Sequence, residues 1–314
     1  MAITILNSPA EWIAHFGEAR KPTAVTIGNF DGVHVGHQKI LRGVIERARA
    51  MDGVSAVLTF FPHPARVLRP DAAPPLLETL PQRLAEFAAL GIDAALVLKF
   101  DSELAQASAE EFVARFLVET LRARVVLVGA NFRFGHKQAG DVKLLAELGR
   151  KSGFEVEIVA PVSLDGILVS SSAVRQAVRE GRVEEARRML GRPFALGGEI
   201  RTGTGLGHKL IVPTLNLATE QETLPKYGVY VTEAVLEGKS YHAVTNVGVR
   251  PTFDGQRLAI ESHLFDFAET VESGELTVKF LARLRDEQKF SGPDALRVQV
   301  LKDIEQARAL FAKP

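Results

Sequence analysis

The hydrophobic rhythm of the chain changes once along its length. Over residues 23–160, short apolar runs alternate with amphipathic stretches: TAVTI (23–27), SAVLTFF (55–61), AALVLKF (94–100), VVLVG (125–129) and EVEIVA (155–160). Runs this short, rich in β-branched residues, read as strands. Strands apolar on both faces belong to a parallel sheet covered by helices on each side. Between them, Ile40, Leu41, Val44, Ile45 and Ala48 share one face of a helix over 38–50, while Lys39, Arg42, Arg47 and Arg49 fall mostly opposite. LPQRLAEFAAL (80–90) reads as a helix stopped by Gly91. Ser108 opens S-A-E-E, a capping box ahead of EEFVARFLVETL. The alternation predicts a doubly wound, Rossmann-like α/β domain.

Near residue 190 the pattern changes. Gly191, Pro193, Gly197 and Gly198 crowd together, and the segments beyond alternate apolar and polar positions: GVYVTEAVLEG, KSYHAVTNVGV, RLAIESHLFDF and ELTVKFLARL. These predict antiparallel strands, with a hairpin at Glu237-Gly238-Lys239. PDALRVQVLKDIEQARALF is amphipathic with Pro293 near its first turn, as in a closing helix. The second part is therefore a small β-barrel or sandwich with a C-terminal helix. There is no internal repeat and no low-complexity segment.

Composition narrows the class. At about 150 residues per domain, a chain of 314 residues suggests two domains. Thirty-eight basic residues balance 38 acidic ones, which speaks against a nucleic-acid partner. With no cysteine, disulfides, thiolate metal sites, iron–sulfur clusters and cysteine nucleophiles are excluded. MAITILNSPAEW has neither the basic nor the long apolar segment of a secretory signal. No apolar run approaches the roughly 20 residues needed to span a bilayer. A cytoplasmic protein with no membrane partner is expected. A monomer and a weak homo-oligomer both fit.

The candidate chemistry begins at GNFDGVHVGHQ, Gly28 to Gln38, between a strand and a helix. In open α/β sheets, ligands bind at the carboxyl ends of strands. Gly28, Gly32 and Gly36 let the backbone turn tightly and approach a ligand. His34 and His37 lie near a helix N-terminus, where free N–H groups and the helix dipole favour phosphate. Two imidazoles there can donate hydrogen bonds to phosphoryl oxygens as a leaving group departs. A metal site would need a third ligand that nothing nearby supplies. A plain helix-capping role for the histidines is the other alternative.

Ser170, Ser171 and Ser172 precede the helical pattern AVRQAVREG. Hydroxyls and free N–H groups make an anion cradle, to which Arg175 adds a cation, although serine is also an ordinary helix cap. Asn131 follows the VVLVG strand, with Phe132 and Phe134 as candidates for either ligand contact or core. GTGLGHKLIVPTLNL (203–217) suggests a glycine-rich loop over a ligand. It is neither a Walker A loop nor a dinucleotide fingerprint.

These motifs resemble one family along nearly the whole chain: the nucleotidyltransferase superfamily in the form of the bacterial bifunctional riboflavin kinase/FMN adenylyltransferases. GNFDGVHVGHQ is similar to the H-x-G-H signature, TFFPHPARVL (59–68) to a proline-histidine-proline loop, and VSSSAVR (169–175) to S-S-T-x-V-R with Ser172 in place of threonine. ASAEEFVARFL and VLVGANFRFGHKQAGD (126–141) are similar to the middle segments. Gly207, Leu210, Pro213, Thr214 and Asn216 match the flavokinase pattern G-R-x-L-G-F-P-T-A-N, while His208, Ile211 and Val212 depart from it. NVGVRPTF (246–253), IESHLFDF (260–267) and FLARLRDEQKF (280–290) continue the likeness.

The resemblance implies an FMN adenylyltransferase domain over 1–186 and an all-β riboflavin kinase barrel with a C-terminal helix over 187–314. It implies that riboflavin and ATP give FMN, and that FMN and ATP then give FAD and pyrophosphate. His34, His37 and Arg175 would be catalytic in the first domain. Gly28, Asn29, Phe30, Asp31, Gly36, His63, Asn131, Phe132, Ser170, Ser171 and Ser172 would bind nucleotide or flavin. In the second domain Glu261 would be the general base, Thr214 and Asn216 would hold Mg²⁺, and Gly207 and Arg285 would contact substrate. Two narrower readings are an adenylyltransferase with a weakened or lost kinase and a non-catalytic flavin-binding regulator. The His pair and Glu261 together speak against the regulator.

Overall fold

The computed structural model describes residues 2–17, 21–201, 212–252, 255–269 and 271–312. The chain divides into two compact units, Met1–Ser170 and Ser171–Pro314.

The first unit is a six-stranded sheet in the order β1-β4-β3-β2-β5-β6, with every neighbouring pair parallel. Its strands are β1 (Thr4–Leu6), β2 (Thr23–Ile27), β3 (Val54–Phe61), β4 (Ala94–Lys99), β5 (Ala123–Gly129) and β6 (Glu155–Val159). All five residues of β2 are buried, as its unbroken apolar run requires. Alternate side chains feed two cores. Val25, Ile27, Leu58 and Val126 meet Trp12, Phe112, Phe116 and Leu145. These come from α1 (Pro9–Phe16), from α5 (Ala109–Phe112) with its π-helical continuation Val113–Thr120, and from α6 (Val142–Ser152). Ala24, Val57, Val97 and Leu127 face Leu41, Val44, Leu84 and Phe87 of α2 (Val35–Ala50) and α4 (Leu80–Leu90). The short α3 (Pro64–Leu68) follows β3, and β7 (Ser163–Leu164) pairs with β8 (Ile167–Leu168) in a small hairpin.

The chain runs outward from β2 through β3 to β4, then returns to β5 on the other side of β2. The carboxyl ends of β2 and β5 thus form the topological switch point, where a crevice opens in such folds.

The second unit begins with α7 (Ser171–Arg179) and α8 (Val183–Leu190). A closed barrel follows in the order β10-β13-β12-β11-β14-β9. Its strands are β9 (Phe194–Arg201), β10 (Leu215–Ala218), β11 (Gly228–Leu236), β12 (Lys239–Thr252), β13 (Gly255–Leu264) and β14 (Glu275–Arg285), with α9 (Pro293–Phe311) last. The expected hairpin joins β11 to β12. Glu237 and Gly238 both have positive φ, 49° and 77°, which matches the twist of the flanking strands. Inside the barrel the hydroxyls of Thr232, Thr245 and Ser262 form a chain with spacings of 2.7 and 2.8 Å. Buried hydroxyls that satisfy one another in this way pin three strands in register.

Candidate active sites

In the first unit the residues singled out from the sequence gather along the carboxyl edge of the sheet. The segment after β2 turns sharply, with positive φ at Phe30 (50°), Gly32 (85°) and Val33 (35°). Positive φ at a β-branched residue is strained, and such strain concentrates at functional sites. Asp31, 3 % exposed, anchors the turn. Its carboxylate accepts hydrogen bonds from the Leu77 N–H at 3.0 Å and the Glu78 N–H at 3.3 Å. That contact ties the loop to the entry of α4.

His34 caps α2, its Nδ1 accepting from the His37 N–H at 3.2 Å. Because Nδ1 is the acceptor, the ring proton of neutral His34 lies on Nε2. Capping and phosphate donation are therefore compatible in one ring. His37 stacks on His34 with centroids 3.6 Å apart, and its other side meets the edge of Phe30 at 5.1 Å. Gly36 makes this possible, since a Cβ there would lie 3.1 Å from the His34 ring. Burial, then His34, then Arg83 hold the pKa of His37 well below its ordinary 6.5, so it is neutral at pH 7. The buried Nδ1 of His37 and Oδ1 of Asn29 have no hydrogen-bond partner among the described residues. Native interiors rarely leave such atoms bare except where a ligand or water meets them.

Asn131 is exposed just past β5, across the switch point from the His loop. Phe134 is core, 6 % exposed, and the half-buried Phe132 stacks on it at 5.5 Å. His63 caps α3 beyond β3, its Nδ1 accepting from the Ala65 N–H at 3.1 Å. Gly28, Asn29, Phe30, Gly36 and His63 thus share one sheet edge with Asn131. Ser170 closes the first unit. Ser171, Ser172 and Arg175 lie on α7 of the second, with Arg175 buried.

In the second unit a cavity of about 390 Å³ opens at the side of the barrel, lined by residues that include Thr214, Asn246, Glu261, His263, Arg285 and Glu287. Its size suits a small-molecule ligand. Glu261 is central: its Cα pairs with Asn216 on β10 and with Asn246 on β12. His263 donates from Nδ1 to the Pro213 carbonyl at 2.9 Å, fixing the approach to Thr214. Arg285 is held in a fork by Asp303 of α9, at 2.9 and 2.7 Å, and Asp303 is 2 % exposed. Its place is therefore in the wall between β14 and α9 as well as on the cavity. Gly207, His208 and Ile211 lie outside the described residues.

Asn246, His263, Glu287 and Asp303 were not singled out from the sequence. Only Gly248 hints at them. The Glu287 carboxylate lies over Gly248, where an added Cβ would displace that flexible side chain. Among the described residues no three His, Asp or Glu side chains gather as a metal site.

These features define the class of protein: a nucleotidyltransferase-type α/β module joined to a flavokinase-type barrel. Residues 17–173 match the family model described as FAD synthetase, and residues 190–311 match the one described as riboflavin kinase. The bifunctional riboflavin kinase/FMN adenylyltransferase of Pseudomonas fluorescens is 41 % identical over 91 % of this chain and 92 % of its own. The Escherichia coli K12 protein of the same name is 36 % identical over the same shares. A crystal structure described as a macrolide-efflux protein from Streptococcus pneumoniae superposes with a TM-score of 0.86. It is 28 % identical and covers 98 % of this chain and 99 % of its own. The chain belongs to the bifunctional riboflavin kinase/FMN adenylyltransferase family. No helix among the described residues is long and apolar enough to cross a membrane.

Proposed function

We propose that the two activities of this family, riboflavin kinase and FMN adenylyltransferase, are divided between the two modules, with the boundary near residue 187. The observation that carries the reading is the His34/His37 stack at the switch point of one module together with Glu261 in the cavity of the other.

In the barrel, Glu261 accepts the proton of the ribityl 5′-hydroxyl as the hydroxyl oxygen attacks the γ-phosphorus of ATP and the bond from that phosphorus to ADP breaks. Thr214 and Asn216 supply oxygen donors beside Glu261, a donor set suited to Mg²⁺. When bound, Mg²⁺ neutralises charge on the ATP phosphates. In the α/β module, an FMN phosphate oxygen attacks the α-phosphorus of ATP, and the bond to pyrophosphate breaks. The Nε2–H of His34 and the ring of His37 meet the charge that develops on the leaving group. The α2 N-terminus adds its N–H groups and the positive end of its dipole. Asn131, Phe132 and His63 border the flavin. The chain works as a cytoplasmic enzyme.

The test is a time course of purified protein with riboflavin, ATP and Mg²⁺, with the flavins resolved by chromatography. FMN followed by FAD is expected. FAD that appears only when FMN is supplied would remove the kinase half, and no product from either flavin would remove both.

A further inference from the structure

Glu261 and His263 stand on one face of β13, since Ser262 and Leu264, which alternate with them, are buried on the other. Both line the cavity, as does Thr214. β10 pairs with β13 at Leu215–Ser262 and Asn216–Glu261. One step further in the same antiparallel count, Thr214 falls opposite His263. Thr214, Asn216, Glu261 and His263 thus form one block on that face.

The backbone ladder does not reach this last step. β10 begins only at Leu215, and Pro213 has no N–H to donate. The His263 side chain reaches across in its place, with Nδ1 2.9 Å from the Pro213 carbonyl oxygen. A carbonyl only accepts, so Nδ1 carries the proton. Nε2 of the neutral ring is then a lone pair, which offers a phosphate oxygen no hydrogen bond. The Pro213 carbonyl shares one rigid peptide plane with the nitrogen and Cα of Thr214. Holding that oxygen on one side, with Leu215 in the ladder on the other, fixes where Thr214 presents its hydroxyl. His263 is itself firmly based. It pairs with Val244 of β12, its neighbour Ser262 ends the buried hydroxyl chain, and its ring lies 5.8 Å from that of Phe265.

We propose that His263 is a positioning residue of the kinase site, which clamps the Pro213 carbonyl and so holds the Thr214 hydroxyl in place for the ATP phosphates and their cation. This role rests on the assignment of Thr214 and Glu261 to riboflavin phosphorylation.

The chemistry favours the arrangement. A donor oxygen set in place beforehand costs no reorganisation when the charged ligand arrives, and outer hydrogen bonds are what hold such oxygens. Without the clamp, Thr214 stands just outside the strand, next to a proline that cannot join the ladder. Loss of the clamp therefore weakens the nucleotide side of the cavity and leaves the flavin side as it is.

The experiment compares the full wild-type chain with His263→Asn and His263→Phe. Asn keeps an N–H donor close to the place of Nδ1, and Phe keeps a ring without the donor. In FMN formation, His263→Phe should raise the KM for ATP by roughly five- to tenfold, as for one net hydrogen bond, with the KM for riboflavin within about twofold of wild type. His263→Asn should recover most of the loss. An unchanged KM for ATP in His263→Phe overturns the proposal, as do an equal rise in both KM values and an Asn variant as impaired as Phe. If His263→Phe fails to fold, His263→Leu replaces it.

Two readouts need no turnover. In mildly alkaline buffer, the imidazole nitrogen resonances of the unliganded wild-type chain should show the Nδ1–H tautomer for His263, and the Nε2–H tautomer overturns the clamp. With isotopically labelled threonine, the Thr214 amide is titrated with Mg²⁺ and a non-hydrolysable ATP analogue. Its midpoint should rise in His263→Phe by the same factor as the KM, and coincident midpoints overturn the proposal. In a Thr214→Val background, His263→Phe should add little to the loss in kcat/KM for ATP, because residues that act through one another are not additive. A full further loss makes His263 a direct substrate contact and overturns its positioning role. Thr214→Val with full FMN formation sinks the assignment of the kinase site itself. Thr214→Val that is impaired, with His263→Phe like wild type, sinks the His263 role alone.

Discussion

His34 shows how one side chain serves structure and chemistry together. Its Nδ1 closes the first turn of α2, which sets its ring proton on Nε2, while its ring face stacks on His37. His37 has no such duty. His37→Ala is therefore expected to lower FAD formation by about 10²–10³-fold with FMN formation unchanged, read by separate assays with FMN or riboflavin as substrate. Glu261→Gln should do the reverse, lowering FMN formation by roughly 10²–10⁴-fold. Loss of both activities in either variant, with folding intact, would contradict separate sites. The protonation of His37 also bears on stability. Its folded pKa lies below 6.5, so between the two values the unfolded chain binds more protons. Its contribution is whole above about pH 6.5 and falls as pH drops, by at most about 1.4 kcal/mol per pH unit. Urea unfolding of the first unit should show this slope, and His37→Gln should flatten it. The H-x-G-H spacing was legible in the sequence because its logic is local to one helical turn. Arg83 was not, since a lone arginine in a helical pattern reads as solvated until α4 is seen against the His loop.

At the scale of elements, local signals carried far. Thr79 and Ser108 both form capping boxes, and Gly91 ends α4 with φ 93°. The structure departs where tertiary packing sets the backbone. The helix that Ser108 starts passes into a π-helix over Val113–Thr120, seating Phe116 and Leu117 in the core while Thr120 donates its hydroxyl to the Arg115 carbonyl. No sequence period announces that change. The strands β1, β9 and β10 carry too little alternation to be read alone. Barrel closure depends on β10 lying between β9 and β13. It requires Gly198, whose added Cβ would lie 1.9 Å from the Ala218 carbonyl oxygen. Gly198→Ala should destabilise the barrel by more than about 2 kcal/mol. Thermal unfolding and loss of FMN formation on mild heating would show it. Asp303→Ala should cost about 3–5 kcal/mol, because it leaves the Arg285 guanidinium unpaired in the wall of the cavity. Asp303→Asn should cost less, since it retains a carbonyl acceptor for the guanidinium.

At the scale of the molecule, the zero net charge takes on a definite meaning. FMN and ATP are both anions, so the positive potential must be local: helix N-termini, oriented imidazole N–H groups, buried arginines and a bound cation. Chelation with EDTA is accordingly expected to stop FMN formation, and added Mg²⁺ to restore it, in the riboflavin assay.

The sequence by itself determined the periodicities, caps and turns, and through them the doubly wound sheet, the antiparallel second unit and the two short motifs. Each of those rests on interactions within a few residues. The tertiary structure alone decided which strands neighbour which, and hence that β2 and β5 make the switch point. It also decided that Asn216 and Asn246 flank Glu261, that Arg285 is gripped by Asp303, and that Arg83 of α4 lies buried. Those facts depend on contacts between residues far apart in the chain, which local propensity and spacing do not encode.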